Sequence, residues 1–167
     1  MAANKRKILE AARKHAQKGA KEKALKEFGK LLKLDPRDSK VRLEMGDTYR
    51  RWGQVAEAIE AYSNVADQFM QEGFDARAVA VFKQIQNLQP TTFSHYEPLA
   101  ELYQRMGLTA EAIGCLESAA ESYREAGQKQ EALGLLRKMA AIDPSNTTSR
   151  IKVADLLQQE GMEEEAG

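Results

Sequence analysis

Two stretches of the chain, 54–73 (QVAEAIEAYSNVADQFMQEG) and 108–127 (LTAEAIGCLESAAESYREAG), decide the fold. They share Ala58/Ala112, Ile59/Ile113, Ala66/Ala120 and Gly73/Gly127 at a constant offset of 54 residues. In the first stretch Ala58, Ile59, Tyr62, Val65, Ala66 and Phe69 recur at steps of three and four, which is one face of a helix. The glycine that closes each stretch sits where a left-handed C-terminal residue is expected.

Working outward, 39–92 aligned on 93–146 gives 11 identities without a gap, Tyr49/Tyr103, Gly53/Gly107 and Pro90/Pro144 among them. Backwards, the same offset sets Ala12, Gly19, Ala24, Phe28, Leu31 and Pro36 under Ala66, Gly73, Ala78, Phe82, Ile85 and Pro90. Forwards, it sets Ala154, Leu157 and Gly161 under Ala100, Tyr103 and Gly107. A second offset of 34 works locally, placing Gly19, Ala24 and Phe28 on Gly53, Ala58 and Tyr62. The difference of 20 is one helix plus a turn, so the unit reads as a helix pair with a third helix added and the middle helix serving both neighbours.

Gly19, Gly53, Gly73, Gly107, Gly127 and Gly161 are read as helix ends. Asp35-Pro36, Gln89-Pro90 and Asp143-Pro144 close every third helix, because the residue before proline avoids the helical region. The pattern predicts helices at 4–18, 20–34, 38–52, 54–72, 75–88, 95–106, 109–126, 129–142 and 147–160, and no strand. Pro98 fits a helix capped by Ser94 or one that starts at Glu97. The expected fold is all-α, a right-handed solenoid of about nine antiparallel helices in one domain, with units 1–38, 39–92, 93–146 and a partial 147–167.

The chain has 167 residues, 43% hydrophobic and 30% charged, with Lys+Arg and Asp+Glu equal at 25 each. That is enough apolar material for a core, and the overall charge points to no polyanionic partner. No stretch approaches the ~20 apolar residues of a membrane helix, mean hydropathy is −0.58, and MAANKRKILEAARKHAQ lacks the apolar region of a secretory signal. With Cys115 as the one cysteine, a cytoplasmic location is expected. The charge is uneven: residues 1–34 hold 11 Lys/Arg against 3 Glu, a balance of +8, and the rest of the chain is acidic.

On these residues the chain resembles the tetratricopeptide repeats. Met45-Gly46-x-x-Tyr49 and Leu99-Ala100-x-x-Tyr103 look like the first helix of that pattern. Ala24-x3-Phe28 with Pro36, Ala58-x3-Tyr62, and Ala78-x3-Phe82 with Pro90 look like the second. Tyr96 fills a further aromatic slot that Arg42 holds in the earlier repeat, and the departure from the family is the 54-residue, three-helix spacing. The resemblance implies a bacterial-type interaction scaffold or adaptor. The three-helix unit also looks like large bacterial proteins that act in polarity or motility with small Ras-like GTPases. Some members clamp a C-terminal carboxylate with Lys and Asn, but the matching slots here hold Leu9, Arg13, Leu43 and Asp47, so that clamp is not implied.

By the same register Glu163–Glu165 open a helix that stops after about one turn, so the chain is expected to be the N-terminal piece of a longer array. The alternative is that 147–160 is itself the cap. An uncapped final helix would offer a face for self-association.

No residues suited to catalysis, cofactor binding or metal ligation stand out, and an enzyme is not expected. His15 occupies the slot of Phe69 and Tyr123 and reads as a packed aromatic substitute. His95, near a helix start, is expected to be exposed, and Cys115 matches Ala61, a small packing position. Gly29, Gly114 and Gly134 are read as close helix contacts, and Trp52 and Phe74 as aromatics of the turns, with a partner contact as the alternative.

What remains is surface. In the implied architecture the first helix of each pair lines a concave groove, which nominates Arg6, Leu9, Arg13 and Gln17 from the first helix. It nominates Lys40, Leu43, Glu44, Asp47, Arg50 and Arg51 from the third, and Glu97, Glu101, Gln104 and Arg105 from the sixth. The expected partner is a peptide segment or helix of another protein, with Arg13, Arg50, Arg51 and Arg105 meeting its carboxylates. The alternative is that the basic N-terminal end binds nucleic acid or an anionic membrane. Phe28 is the only aromatic among those lysines, so there is no base-stacking platform, and a protein partner ranks first.

Overall fold

The computed structural model describes residues 2–90, 94–145 and 147–159. Contacts divide the chain between Leu88 and Gln89 into two compact units. The first holds α1 (Ala2–Gln17), α2 (Lys21–Leu34), α3 (Ser39–Arg51), α4 (Val55–Glu72) and α5 (Asp75–Leu88). The second holds α6 (Tyr96–Arg105), α7 (Thr109–Glu125), α8 (Lys129–Ile142) and α9 (Thr147–Gln159). The described residues contain no strand, and the nine helices fall within a residue or two of the spans that periodicity predicts. This is the all-α, tetratricopeptide-like class expected. α6 starts between the two positions the sequence allows, with His95 as N-cap and Pro98 in the first turn, where its missing donor costs little.

Five helices end on a left-handed glycine, Gly19, Gly53, Gly73, Gly107 and Gly127, at φ 72–79°. Each end carries the double hydrogen bond of a Schellman cap. At α4 the Gly73 N–H donates to the Met70 carbonyl at 3.2 Å and the Phe74 N–H to the Phe69 carbonyl at 2.8 Å. The residue that accepts the longer-range bond is aromatic every time, His15, Tyr49, Phe69, Tyr103 and Tyr123. Phe74 closes edge-on against Phe69 with centroids 6.2 Å apart, the apolar contact that seals such a cap, and Arg77 lies 4.9 Å over its ring. Trp52 stands edge-on to Tyr49 at 6.0 Å, under the Lys21 ammonium. Both aromatics therefore serve the turns. Gly161 and Glu163–Glu165 lie outside the described residues.

The middle helices serve two neighbours. α4 packs along α3 and α5, and α7 along α6 and α8. The Ala-x3-large pairs supply the contact: Ala24/Phe28, Ala58/Tyr62, Ala78/Phe82, Ala112/Leu116 and Ala132/Leu136 are all 4% exposed or less. Asp38 caps α3 by accepting the Val41 N–H at 3.1 Å, and the Arg37 guanidinium reaches Glu72 at 2.9 Å, tying the 35–38 turn to the end of α4.

Two expectations fail. A Cβ at Gly29, Gly114 or Gly134 would meet nothing within 4 Å, so these glycines do not mark close contacts. The close contact is at Gly46, where a Cβ would stand 2.6 Å from the Tyr62 ring. His95 is buried, at 5% exposure, and burial lowers its pKa from the ordinary histidine value. As N-cap of α6 it turns its ring inward beside the Gln89 backbone, whereas an exposed cap would have kept it in water.

Gly73→Ala forces alanine into the left-handed region and is expected to cost about 1–2 kcal/mol of unfolding free energy. Gly29→Ala, in open space within a helix, is expected to gain about 0.5–1 kcal/mol; urea unfolding of the two variants checks both signs. Gly46→Ala alone is expected to cost about 1–3 kcal/mol by overpacking. In a Tyr62→Leu background, which copies the Ala100/Leu116 pair of the second unit, the same change is expected to cost nothing; a double-mutant cycle reads the coupling.

Candidate functional site

In the first unit four of the ten nominated side chains pair with one another, Arg13 with Glu44 and Arg50 with Asp47. The Arg13 guanidinium of α1 grips the Glu44 carboxylate of α3 through Nε and through Nη2, the latter at 2.9 Å from Oε2. Those bonds hold the arginine above its already high ordinary pKa. Arg50 lies 3.7 Å from Asp47, and Arg51 donates to the Thr48 hydroxyl at 3.3 Å. Asp47 also accepts the phenol of Tyr62, whose ring is fully buried. Arg6 pairs with Glu10 at 3.0 Å on the exposed side of α1. Gln17 and Lys40 are exposed, and Leu9 and Leu43 half-buried. A small hollow of about 170 Å³ lies between α3 and α4, with Tyr49, Glu57 and Glu60 in its lining. Burial, then those two carboxylates, push the Tyr49 phenol up.

The second unit presents a larger groove, about 740 Å³, walled by α6 and α8 with α7 beneath. Three nominated residues, Glu97, Glu101 and Gln104, share one wall, and Arg105 is exposed on the same helix outside the lining. The floor is apolar: Pro98, Ala100, Leu116, Ala141 and Ile142. Lys138, which sequence reasoning did not nominate, crosses from α8 to Glu97 at 2.7 Å. Its signal was available, since a repeat unit in which the third helix flanks the first brings 138 opposite 97. The groove can take an apolar side chain on its floor and a cation at Glu101. Leu116 lines it from the slot that the larger Tyr62 fills in the first unit.

A second hollow of about 410 Å³ opens elsewhere on the second unit, lined by Tyr96, Glu117, Glu121 and Arg124 over Ala132 and Leu136. Ser118 and Ser122 on its edge donate back to the carbonyls four residues earlier. Among the described residues no three His, Cys, Asp or Glu side chains converge as metal ligands, and no helix is long and apolar enough to cross a membrane.

Burial of its ring, then the hydrogen bond to Asp47, push the Tyr62 phenol well above the usual tyrosine range. The fold therefore favours the protonated phenol, and its contribution is full below about pH 10 and lost as pH rises beyond it. Tyr62→Phe is expected to cost about 1 kcal/mol near neutrality. The gap from wild type is expected to narrow above about pH 10, as read by urea unfolding over that range.

The family model for the tetratricopeptide repeat matches residues 118–146, which span the second half of α7, α8 and the Asp143-Pro144 turn. No curated protein matches the chain. Among solved structures, MamA is 20% identical over 86% of this chain and 94% of its own, with a TM-score of 0.35. A thermophilic tetratricopeptide-repeat protein of Thermus thermophilus is 19% identical over 92% and 99%, with a TM-score of 0.34. YrrB, a tetratricopeptide-repeat protein with an unusual peptide-binding site, is 15% identical over 85% and 88%, with a TM-score of 0.33. The internal repeat and the paired helices it builds make this chain an all-α helical repeat protein, and residues 118–146 are similar to the tetratricopeptide repeat.

Proposed function

We propose that the protein is a protein-interaction scaffold that works by binding rather than catalysis, and that the groove between α6 and α8 holds a segment of the partner. The observation that carries the reading is the groove itself: about 740 Å³, an apolar floor, and a wall of polar side chains. Its size and lining suit an anchor residue of a helix or extended peptide. Glu97 is neutralised by Lys138, which leaves Glu101 as the carboxylate available to a partner. The segment is therefore one with an apolar anchor and a lysine or arginine beside it. The arginines of the first unit support an anchoring role less well, since Arg13 already spends its fork on Glu44.

The test has two stages. A photo-crosslinking residue at Ala141 captures and identifies the bound segment, and a synthetic peptide of that segment is then titrated calorimetrically. Glu101→Lys with Ala141→Arg is expected to weaken the peptide at least about tenfold, as loss of one charge pair and a blocked floor require. A peptide that binds the double variant as tightly as wild type overturns the groove assignment.

A further inference from the structure

The groove between α6 and α8 lies apart from the basic residues 1–34, which hold 11 Lys/Arg against 3 Glu. Lys23, Lys26, Lys30 and Lys33 fall at steps of three and four along α2 and are all exposed, while Ala24, Phe28 and Leu31 on the opposite face are buried. The lysines form a stripe about 15 Å long. On α1, Lys7 and Lys14 are exposed seven positions apart, and Lys18 is exposed in the turn that follows. Acidic neutralisation is sparse. Glu10 is held by Arg6, Glu27 by Lys30 at 2.8 Å, and Glu44 by Arg13. Glu22 is the one remaining acid of residues 1–34.

The chemistry of the stripe narrows its partner. Residues 18–34, KGAKEKALKEFGKLLKL, contain no Arg, Ser, Thr, Asn, Gln, Tyr or Trp, and their single Phe is in the core. The stripe thus offers point charges on flexible stems, with no planar fork, no hydroxyl or amide and no stacking ring. Nucleic-acid surfaces draw on those missing groups to fix register and to hold bases. An acidic protein would present fixed carboxylates, which reward directional donors. A fluid layer of anionic headgroups needs no such match, because lipids gather beneath each ammonium as it lands. Leu34, half exposed at the end of the stripe, can enter the headgroup layer beside Lys33. We propose that the lysine face of α2 forms a peripheral docking surface for an anionic lipid bilayer.

The test is flotation of the full chain with vesicles of phosphatidylcholine, with and without phosphatidylserine, at low and at high salt. Binding is expected only to the anionic vesicles and to disappear at high salt as the charges are screened. At about fivefold in partitioning per lysine, Lys23→Gln, Lys26→Gln and Lys33→Gln together are expected to lower it about 100-fold. The corresponding Lys→Glu triple is expected to abolish it, and circular dichroism of both variants checks that the helices persist. Failure of wild type to float with anionic vesicles at low salt overturns the proposal, as does binding that the Gln triple leaves unchanged. Tighter capture by a single-stranded RNA oligonucleotide or by polyglutamate than by the vesicles also overturns it and reassigns the surface to that class. None of these readouts involves the α6–α8 groove, so the two proposals fail separately.

Discussion

α4 and α7 each have a helix on either side, and the spacing, the small residues and the turns all answer to that demand. α4 meets both neighbours with one broad face, burying Ala58, Tyr62, Val65, Ala66 and Phe69. Close approach requires alanine at Ala58 and Ala112, and the ring at Tyr62 requires the missing side chain at Gly46. The second unit exchanges these for Leu116 and Ala100, and both line its groove. Core packing and candidate function are thus coupled at one pair of positions. Protein interiors are dense enough that a change from tyrosine to leucine must be filled or left open.

Most of the architecture was legible because its signals are local. The 34 and 20 spacing of the glycines fixed five left-handed helix ends, and the proline pairs fixed the ends of every third helix. The double role of the middle helix followed from two offsets holding at once. The failures involve contacts at a distance. Gly29, Gly114 and Gly134 looked like contact glycines, but only three-dimensional neighbours decide whether a Cβ has room. His95 looked exposed because a cap residue usually is, yet its burial depends on where the ring turns beside Gln89.

The surface was less legible still, for a physical reason. A helical wheel says which residues point outward but not whom they meet. Arg13 and Glu44 were both nominated for a partner, yet they are 31 positions apart in sequence and satisfy each other. Conversely, Lys138 was passed over because its importance comes from Glu97 on another helix. Intramolecular pairing in the first unit and an open, partly compensated wall in the second give the two halves different binding chemistry. Lysines that outnumber their acidic neighbours add a third surface on α2.

The central claim, that the second unit's groove is the partner site, is tested most directly by hydrogen exchange on the full chain with and without the captured peptide. The account predicts slowed exchange in 96–105 and 133–142, with α1 and α2 unchanged. Protection confined to α1–α3, or spread evenly over both units, would contradict it.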